Sequence, residues 1–318
     1  MRNNIIMKRI PLIAALTLVF CWQSKACLNY YYFVNKEGNY YMSDTIIRAF
    51  NLNFNKERNL TKLKNSYSRL SREHDYRILS DYSVSLLKLG KTKTALELLI
   101  ALERVHPEEY NIAANLGTAY ELSAMPDSAL KYIRLALKIN PASHGNSEWV
   151  HIKVLETKLQ MTINPKYLAD HSVLRLTESQ KKDSTTRKQI EVQVRERFPF
   201  CKGPDPVMAS LLTDLGESYC NQLSVEYGKA MYQIAQKYYG DTTEALTMKI
   251  KEAQLYINKY ADKKIEIPVN RRMEASYDKI GYFSYKQLLD DNDPGNYVVD
   301  WTGINLDIKT LLSLAKIN

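Results

Sequence analysis

Glycine and proline are scarce in this sequence, with 11 and 10 residues among 318, and there are only four cysteines. A collagen-like or low-complexity chain would be far richer in glycine and proline, and a small disulfide-stabilised domain would be richer in cysteine. Hydrophobic residues make up 45% of the chain, which is enough apolar material for a continuous core. The composition therefore predicts an ordered, globular protein.

The motifs of common catalytic sites are also missing. There is no glycine-rich phosphate loop, no Gly-x-Ser-x-Gly turn for a nucleophilic serine and no His-Glu-x-x-His helix for zinc. One cluster has metal-ligand chemistry: His144, Glu148 and His151 would share a helix face if all three were helical. His144 precedes a glycine, however, and is expected to lie before the helix begins. We predict no catalytic residue, cofactor or metal, with a metal-dependent hydrolase centred on these residues as the alternative.

Basic residues exceed acidic ones, but they do not form a stripe. The formal net charge is +9, and lysines and arginines are scattered among aspartates and glutamates. A nucleic-acid-binding surface would concentrate its basic residues along one face. We therefore predict no nucleic-acid partner.

The first 26 residues have the pattern of a secretory signal peptide. Basic residues near the start are followed by an apolar run at residues 10–20 and by small residues ending at Ala26. The run is shorter than the roughly 20 residues that span a bilayer, which disfavours a membrane anchor. We predict an exported protein, periplasmic or secreted. Cleavage after Ala26 would place Cys27 first, and only a lipid on Cys27 would attach the protein to a membrane.

The strongest pattern is a repeat of 34 residues, marked by Pro107 and Pro141. The preceding residues match in pairs: Ala95 with Ala129, Leu99 with Ile133, Leu102 with Ala136, Val105 with Ile139, and upstream Tyr82 with Leu116, Ser83 with Gly117 and Leu86 with Tyr120. A period of this length is typical of stacked helical hairpins. Each hairpin leaves an apolar face that only a neighbour can bury, so an array is expected.

Helix-breaking residues divide the copies into helices. The first copy, residues 76–109, has Gly90 between its two helices, and the second, residues 110–143, has Pro126 there. A third copy at residues 209–242 repeats the second at a distance of 99 residues with the following matches: Leu215, Gly216, Tyr219, Gly228, Tyr232 and Ala235.

The series Leu116, Gly117, Tyr120, Ala129, Ala136 and Pro141 resembles a tetratricopeptide repeat. The first copy is a weaker match, and the third departs from the family pattern at Gly228, where the family prefers alanine. The segments 145–151 and 206–209 also resemble exported tetratricopeptide proteins of Bacteroidetes-type bacteria. The resemblance implies an all-α array of helical hairpins, an α-solenoid, and no defined activity.

These patterns divide the chain into successive segments. They are residues 1–26 as the signal peptide, 27–75 as an aromatic arm or hairpin and a lead helix, 76–143 as two repeats, 144–208 as a degenerate helix pair with an insertion, 209–260 as a third copy and a capping helix, and 261–318 as a poorly patterned tail. Within 144–208, Ile190, Val192 and Val194 alternate as in a strand, but Ile190, Val194 and Phe198 fit a helix. We favour the helix.

In such an array the first helices of the pairs line a concave groove. The positions expected to face it are Ser80, Val84, Leu87, Ala114, Thr118, Glu121, Thr213 and Glu217. Most of these residues are small or mildly polar, which suits an extended peptide or a helix. We predict a non-catalytic module that holds a protein or peptide outside the cytoplasm. The tail or the insertion could instead fill the groove from within, and a purely structural envelope component is a further alternative.

Overall fold

The computed structural model describes residues 56–198, 200–201, 203–222, 225–261 and 299–317. The predicted signal peptide, the aromatic arm and residues 262–298 of the predicted tail lie outside these ranges. The described residues form helices and no strand. The helices are α1 Lys56–Glu73, α2 Tyr76–Lys88, α3 Thr92–Val105, α4 Tyr110–Leu122, α5 Pro126–Ile139, α6 Glu148–Ile163, α7 Glu178–Lys181, α8 Ser184–Arg197, α9 Pro206–Gln222, α10 Val225–Lys237, α11 Glu244–Ala261 and α12 Ile308–Leu314.

Neighbouring helices pack against each other along the chain. Helix α2 packs on α3, α4 on α5, and α9 on α10, while α4 also contacts both helices of the preceding pair. The predicted all-α array is therefore confirmed in the described ranges, as is the helix, rather than a strand, at residues 184–197. None of the described helices combines the length and apolar composition that a membrane crossing needs.

Glycine allows the two helices of a pair to approach closely. A Cβ atom at Gly117 on α4 would lie 2.6 Å from Cδ1 of Ile133 on α5. The same contact recurs between α9 and α10, where a Cβ atom at Gly216 would lie 2.5 Å from Cε1 of Tyr232. Gly228 faces the backbone of Gly216, whose carbonyl oxygen would be 2.6 Å from a Cβ atom at Gly228. The departure at Gly228 thus brings α9 and α10 together.

The turns and helix ends occur near the helix-breaking residues of the sequence. Helix α2 is followed by Gly90 in the left-handed region, with φ +82°. The equivalent turn after α4 has Ala124 there, with φ +57°. Helices α3 and α5 end just ahead of Pro107 and Pro141, because proline cannot continue a helix.

The segment between α6 and α8, where the sequence predicts an insertion and which is called the insertion below, packs back on α9. Val173 and Leu174 are buried in the same apolar cluster as α9 residues. The Val173 N–H donates to Oγ of Ser210 at 3.0 Å, and the Leu174 N–H donates to Oδ2 of Asp214 at 3.1 Å. The insertion is therefore fixed to the array by backbone hydrogen bonds as well as by apolar burial.

The two ends of the described chain meet at the first helical pair. Helix α1 packs on α2, and α12 packs on α3. Leu311, Ala315 and Ile317 are buried in the apolar cluster of α1 to α4. The poorly patterned tail therefore contains a segment whose apolar side chains pack into this cluster.

Candidate partner-binding site

The predicted groove positions on α2 and α4 lie mostly inside the array. Those that are 8% exposed or less are Ser80, Val84, Leu87, Ala114 and Thr118. Asn115 on α4 donates through Nδ2 to Oγ of Ser80 at 3.2 Å, so this helix contact is polar and closed. The solvent exposure expected of a continuous groove is not found at these positions. Contact of these residues with a partner stays a prediction.

The two predicted positions on α9 lie apart from the others. Thr213 is half-buried, and its hydroxyl donates to the carbonyl oxygen of Ala209 at 3.0 Å. The carboxylate of Glu217 forms ion pairs with Lys181 from the insertion, at 3.0 Å, and with Lys249 from α11. Glu217 therefore connects three elements of the array.

A partly open cavity lies where α4, α6 and the end of α8 meet. Its volume is about 210 Å³, and Thr118 and Glu121 from the predicted groove line it. Its walls also include Lys158 from α6, Arg197 from α8 and Asp205 just ahead of α9. A single water needs only ~10–15 Å³ on the same measure, so the cavity can admit a side chain or a short piece of peptide.

Glu121 forms the centre of a buried ion cluster beside this cavity. Its side chain is 6% exposed and contacts three cationic or hydrogen-bonding groups, namely Nζ of Lys158 at 2.7 Å, Nη1 of Arg197 at 2.6 Å and Nε2 of His151 at 2.8 Å. Burial raises the pKa of Glu121, but Arg197, Lys158 and His151 outweigh it and hold this pKa well below its usual range. The carboxylate is thus ionised and fixes α4 against α6 and α8.

The cluster continues inward through a row of alternating imidazoles and carboxylates. Nδ1 of His151 lies 3.5 Å from Oε2 of Glu148, whose other oxygen contacts Nδ1 of His144. The hydroxyl of Tyr110 lies 3.4 Å from the same His144 nitrogen. Burial opposes the ionisation of Glu148, but His144 and His151 lower its pKa below the usual value. The row links α4 to the start of α6.

His144, Glu148 and His151 come together, but not in the geometry of a metal site. Each histidine contacts a different oxygen of the Glu148 carboxylate, so the three groups bond to one another rather than converge on a shared position. His144 lies ahead of α6 in a turn with φ +49°, as expected from the glycine that follows it. Among the described residues, no group of three or more His, Cys, Asp or Glu side chains is arranged to hold a metal ion.

Cys201 and Asp205 are two further polar groups that line the cavity. Burial, with a smaller effect of Asp205, raises the pKa of the Cys201 thiol to about 12, so the thiol stays protonated at neutral pH. Oδ1 of Asp205 accepts hydrogen bonds from the Val207 and Met208 N–H groups at 2.9 Å and thereby caps α9. Lys158 is 29% exposed and is the cation that reaches from the cluster towards solvent.

Sequence reasoning missed the roles of Lys158 and Arg197. One signal was available on α6, where Glu148, His151 and Lys158 recur at spacings of three and seven residues and so share a helix face. Arg197 gives no such signal, because it is 76 residues from Glu121 and belongs to another helix. Comparison of the chain with family models, curated proteins and solved structures gave no match.

Proposed function

We propose that this protein is a non-catalytic binding module of the tetratricopeptide type that acts outside the cytoplasm and holds a protein or peptide at the cavity between α4, α6 and α8. The observation that carries the proposal is the cavity itself, because it is partly open and lined by two positions that the repeat pattern assigns to the partner-binding face, Thr118 and Glu121. A cavity of side-chain size offers an anchor for one residue of an extended partner.

The tetratricopeptide interpretation is supported by a recurring helix contact. The pairs Gly117–Ile133 and Gly216–Tyr232 are separated by the same 99 residues that relate the second and third copies, and both place a large side chain against a glycine. A fold without internal repeats gives no reason for the same helix contact to occur twice at this spacing. A repeat register explains it, because equivalent positions meet equivalent neighbours.

The buried ion cluster supports binding to a preformed site. Lys158, Arg197 and His151 all contact the Glu121 carboxylate, so the wall of the cavity is held by charge-assisted hydrogen bonds before any partner arrives. A preformed site avoids the loss of side-chain freedom that binding would otherwise require.

Peptides selected for binding to the wild-type protein test the proposal. A phage-displayed library of random peptides would supply binders, and their affinities would be measured by fluorescence anisotropy. Thr118→Arg places a long charged side chain in the cavity wall and should weaken these peptides at least about tenfold, a change of about 1.4 kcal/mol. The control is Val105→Arg, the same kind of change at a residue that is 48% exposed on α3.

Cross-linking provides a second measurement that does not depend on a buried substitution. A photoreactive amino acid in place of Phe200, which lines the cavity, should capture the selected peptides. The same amino acid in place of Leu255, which is 58% exposed on α11, should not. Equal capture at both positions, together with unchanged affinity in Thr118→Arg, would rule out the cavity as the binding site.

Export is a separate part of the proposal, and it rests on the first 26 residues. Mass measurement of the protein recovered from its native cells should give a mature chain that begins at Cys27. A chain that still carries the first 26 residues would contradict export by signal cleavage. An added lipid mass on Cys27 would support the membrane-attached alternative.

A further inference from the structure

The C-terminal segment, residues 299–317, lies along α2 from one end of the helix to the other. The Trp301 ring contacts Nζ of Lys91, in the turn after α2, at 4.8 Å from the ring centroid. The carbonyl oxygen of Leu314 lies 2.8 Å from Nδ1 of His74, in the turn before α2. The segment therefore runs antiparallel to α2 and spans its full length.

The middle of the segment is held through its backbone. The Tyr82 hydroxyl, on α2, donates to the carbonyl oxygen of Asn305. The Asn305 side chain in turn donates through Nδ2 to the hydroxyl of Tyr67, on α1, at 3.2 Å. A backbone carbonyl that accepts from a side chain of a neighbouring element is a contact by which proteins hold peptides irrespective of the peptide's sequence.

Apolar side chains provide the specificity of the contact. Leu311 is fully buried, and Ala315 and Ile317 are 5% and 6% exposed, in the cluster formed by α1 to α4. The segment also carries its own helix start, because Oδ2 of Asp307 accepts from the Thr310 N–H at 2.8 Å. Leu311 lies on the short capped helix, and Ala315 and Ile317 follow directly after its end. An apolar side chain of a short helix buried between other helices is a contact by which grooves hold helical peptides.

Residues 262–298 separate this segment from α11 in the sequence. The described residues that the segment contacts in space are therefore distant from it along the chain. The contact to Tyr82 crosses 223 residues and the contact to His74 crosses 240. We propose that the face formed by α1, α2 and α3 is a peptide-docking site, and that its ligand is the C-terminal segment, recognised without help from the covalent connection. A second copy of the chain can then supply the same segment. This site is distinct from the α4–α6–α8 cavity and does not depend on the proposed function.

Cleavage of the connection tests this inference on the full-length, folded protein. A protease site inserted into residues 262–298 is cut, and size-exclusion chromatography with mass spectrometry follows the released fragment. We expect the fragment to remain with the body of the protein after cleavage. An isotope-labelled synthetic peptide of residues 299–318 should then replace it progressively, as measured by the mass of the bound fragment.

Two variant peptides test whether the exchange depends on the buried anchor residue. The Leu311→Asp peptide places a charge at the fully buried anchor and should compete at least about tenfold less well. The Ser313→Asp peptide carries the same charge at an exposed position of the same helix and should compete like the unmodified peptide. Release of the fragment immediately on cleavage would overturn the proposal. Failure of the unmodified peptide to exchange while circular dichroism shows a folded body would overturn it as well, because the segment would then be a fixed part of the core.

Discussion

At the scale of single residues, the turns after α2 and α4 place different residue types in the same conformation. Gly90 and Ala124 are 34 residues apart, both are exposed, and both have positive φ. An L-residue with a Cβ atom pays roughly 1–2 kcal/mol in the left-handed region, whereas glycine adopts it freely. The second turn is therefore strained and the first is not.

Exchange of the two residues should change stability in opposite directions. We expect Ala124→Gly to raise the free energy of unfolding by about 0.5–1 kcal/mol, because the relief of strain exceeds the added freedom of the unfolded chain. Gly90→Ala should lower it by about 1 kcal/mol, since no atom lies within 4 Å of the added Cβ and only the backbone is affected. Urea denaturation of both variants measures this. Changes of the same sign would contradict the explanation.

Asp214 on α9 is a buried carboxyl group. Among the described residues, no cation contacts it as closely as Lys158 and Arg197 contact Glu121. Asp214 is 5% exposed and accepts from the Leu174 N–H in the insertion. Burial raises its pKa to about 7, although the Leu174 hydrogen bond acts in the opposite direction. The unfolded chain releases this proton near pH 4, so between about pH 4 and pH 7 the folded state binds more protons. Stability contributed by Asp214 is therefore lost as the pH rises through this window.

The variant Asp214→Asn should remove this pH dependence. An amide keeps an oxygen for the Leu174 N–H but carries no charge, so we expect a gain of up to a few kcal/mol at about pH 8 and little change at about pH 5. Urea denaturation at the two pH values measures the difference. Glu252→Gln, at an exposed carboxylate on α11, is the control and should keep the wild-type pH dependence. An equal effect of Asp214→Asn at both pH values would contradict the assignment.

At the scale of helices, the distance between α4 and α5 is set by Gly117. The nearest atoms to an added Cβ belong to Ile133, at 2.6 Å for Cδ1 and 2.8 Å for Cγ1. Contacts this short force either the side chain or the helix to move. The glycine therefore has a packing role.

We expect Gly117→Ala to destabilise the protein by about 1–3 kcal/mol through overpacking, despite the better helix propensity of alanine. Ile133→Val removes Cδ1, and the double variant Gly117→Ala/Ile133→Val should be more stable than the sum of the single changes predicts. Thermal and urea unfolding of the four proteins complete this cycle. Additive effects would show that Ile133 does not limit the approach of the two helices.

At the scale of the whole molecule, the Glu121 cluster joins parts of the array that are far apart in sequence. Lys158 and Arg197 reach the same carboxylate from α6 and α8, 37 and 76 residues away. Removal of one member of a buried ion pair leaves a buried charge without its counterion, which costs more than the pair itself contributes. The cluster therefore couples the stability of the second helical pair, α4 and α5, to that of α6 and α8, which follow it in the chain.

Glu121→Gln should lower the free energy of unfolding by about 3–5 kcal/mol, because Arg197, whose side chain is 9% exposed, would lose its buried counterion. The surface pair of Arg134 and Glu156 supplies the control, and Glu156→Gln should change stability by about 1 kcal/mol or less. Urea denaturation measures both. Similar losses in the two variants would contradict a special role of the buried cluster.

The sequence by itself determined the helical pairs. Helix ends at Gly90, Pro107 and Pro141 follow from backbone chemistry within a few residues, and the 34-residue period follows from the apolar and small residues that each pair presents to its neighbour. Both depend on local chemistry or on repetition within one sequence, so the helical pairs were predictable.

Only the tertiary structure decided which surfaces stay open. Three features follow no periodic pattern in the sequence. They are the burial of Ser80 and Val84, the ion pair of Arg197 with Glu121, and the packing of Leu311 against the first helical pair. Such contacts depend on how the stacked pairs place the insertion and the C-terminal segment in space. Long-range burial of this kind leaves no local signature in the sequence, because an apolar residue looks the same whether it faces its own helix pair or a segment 200 or more residues away.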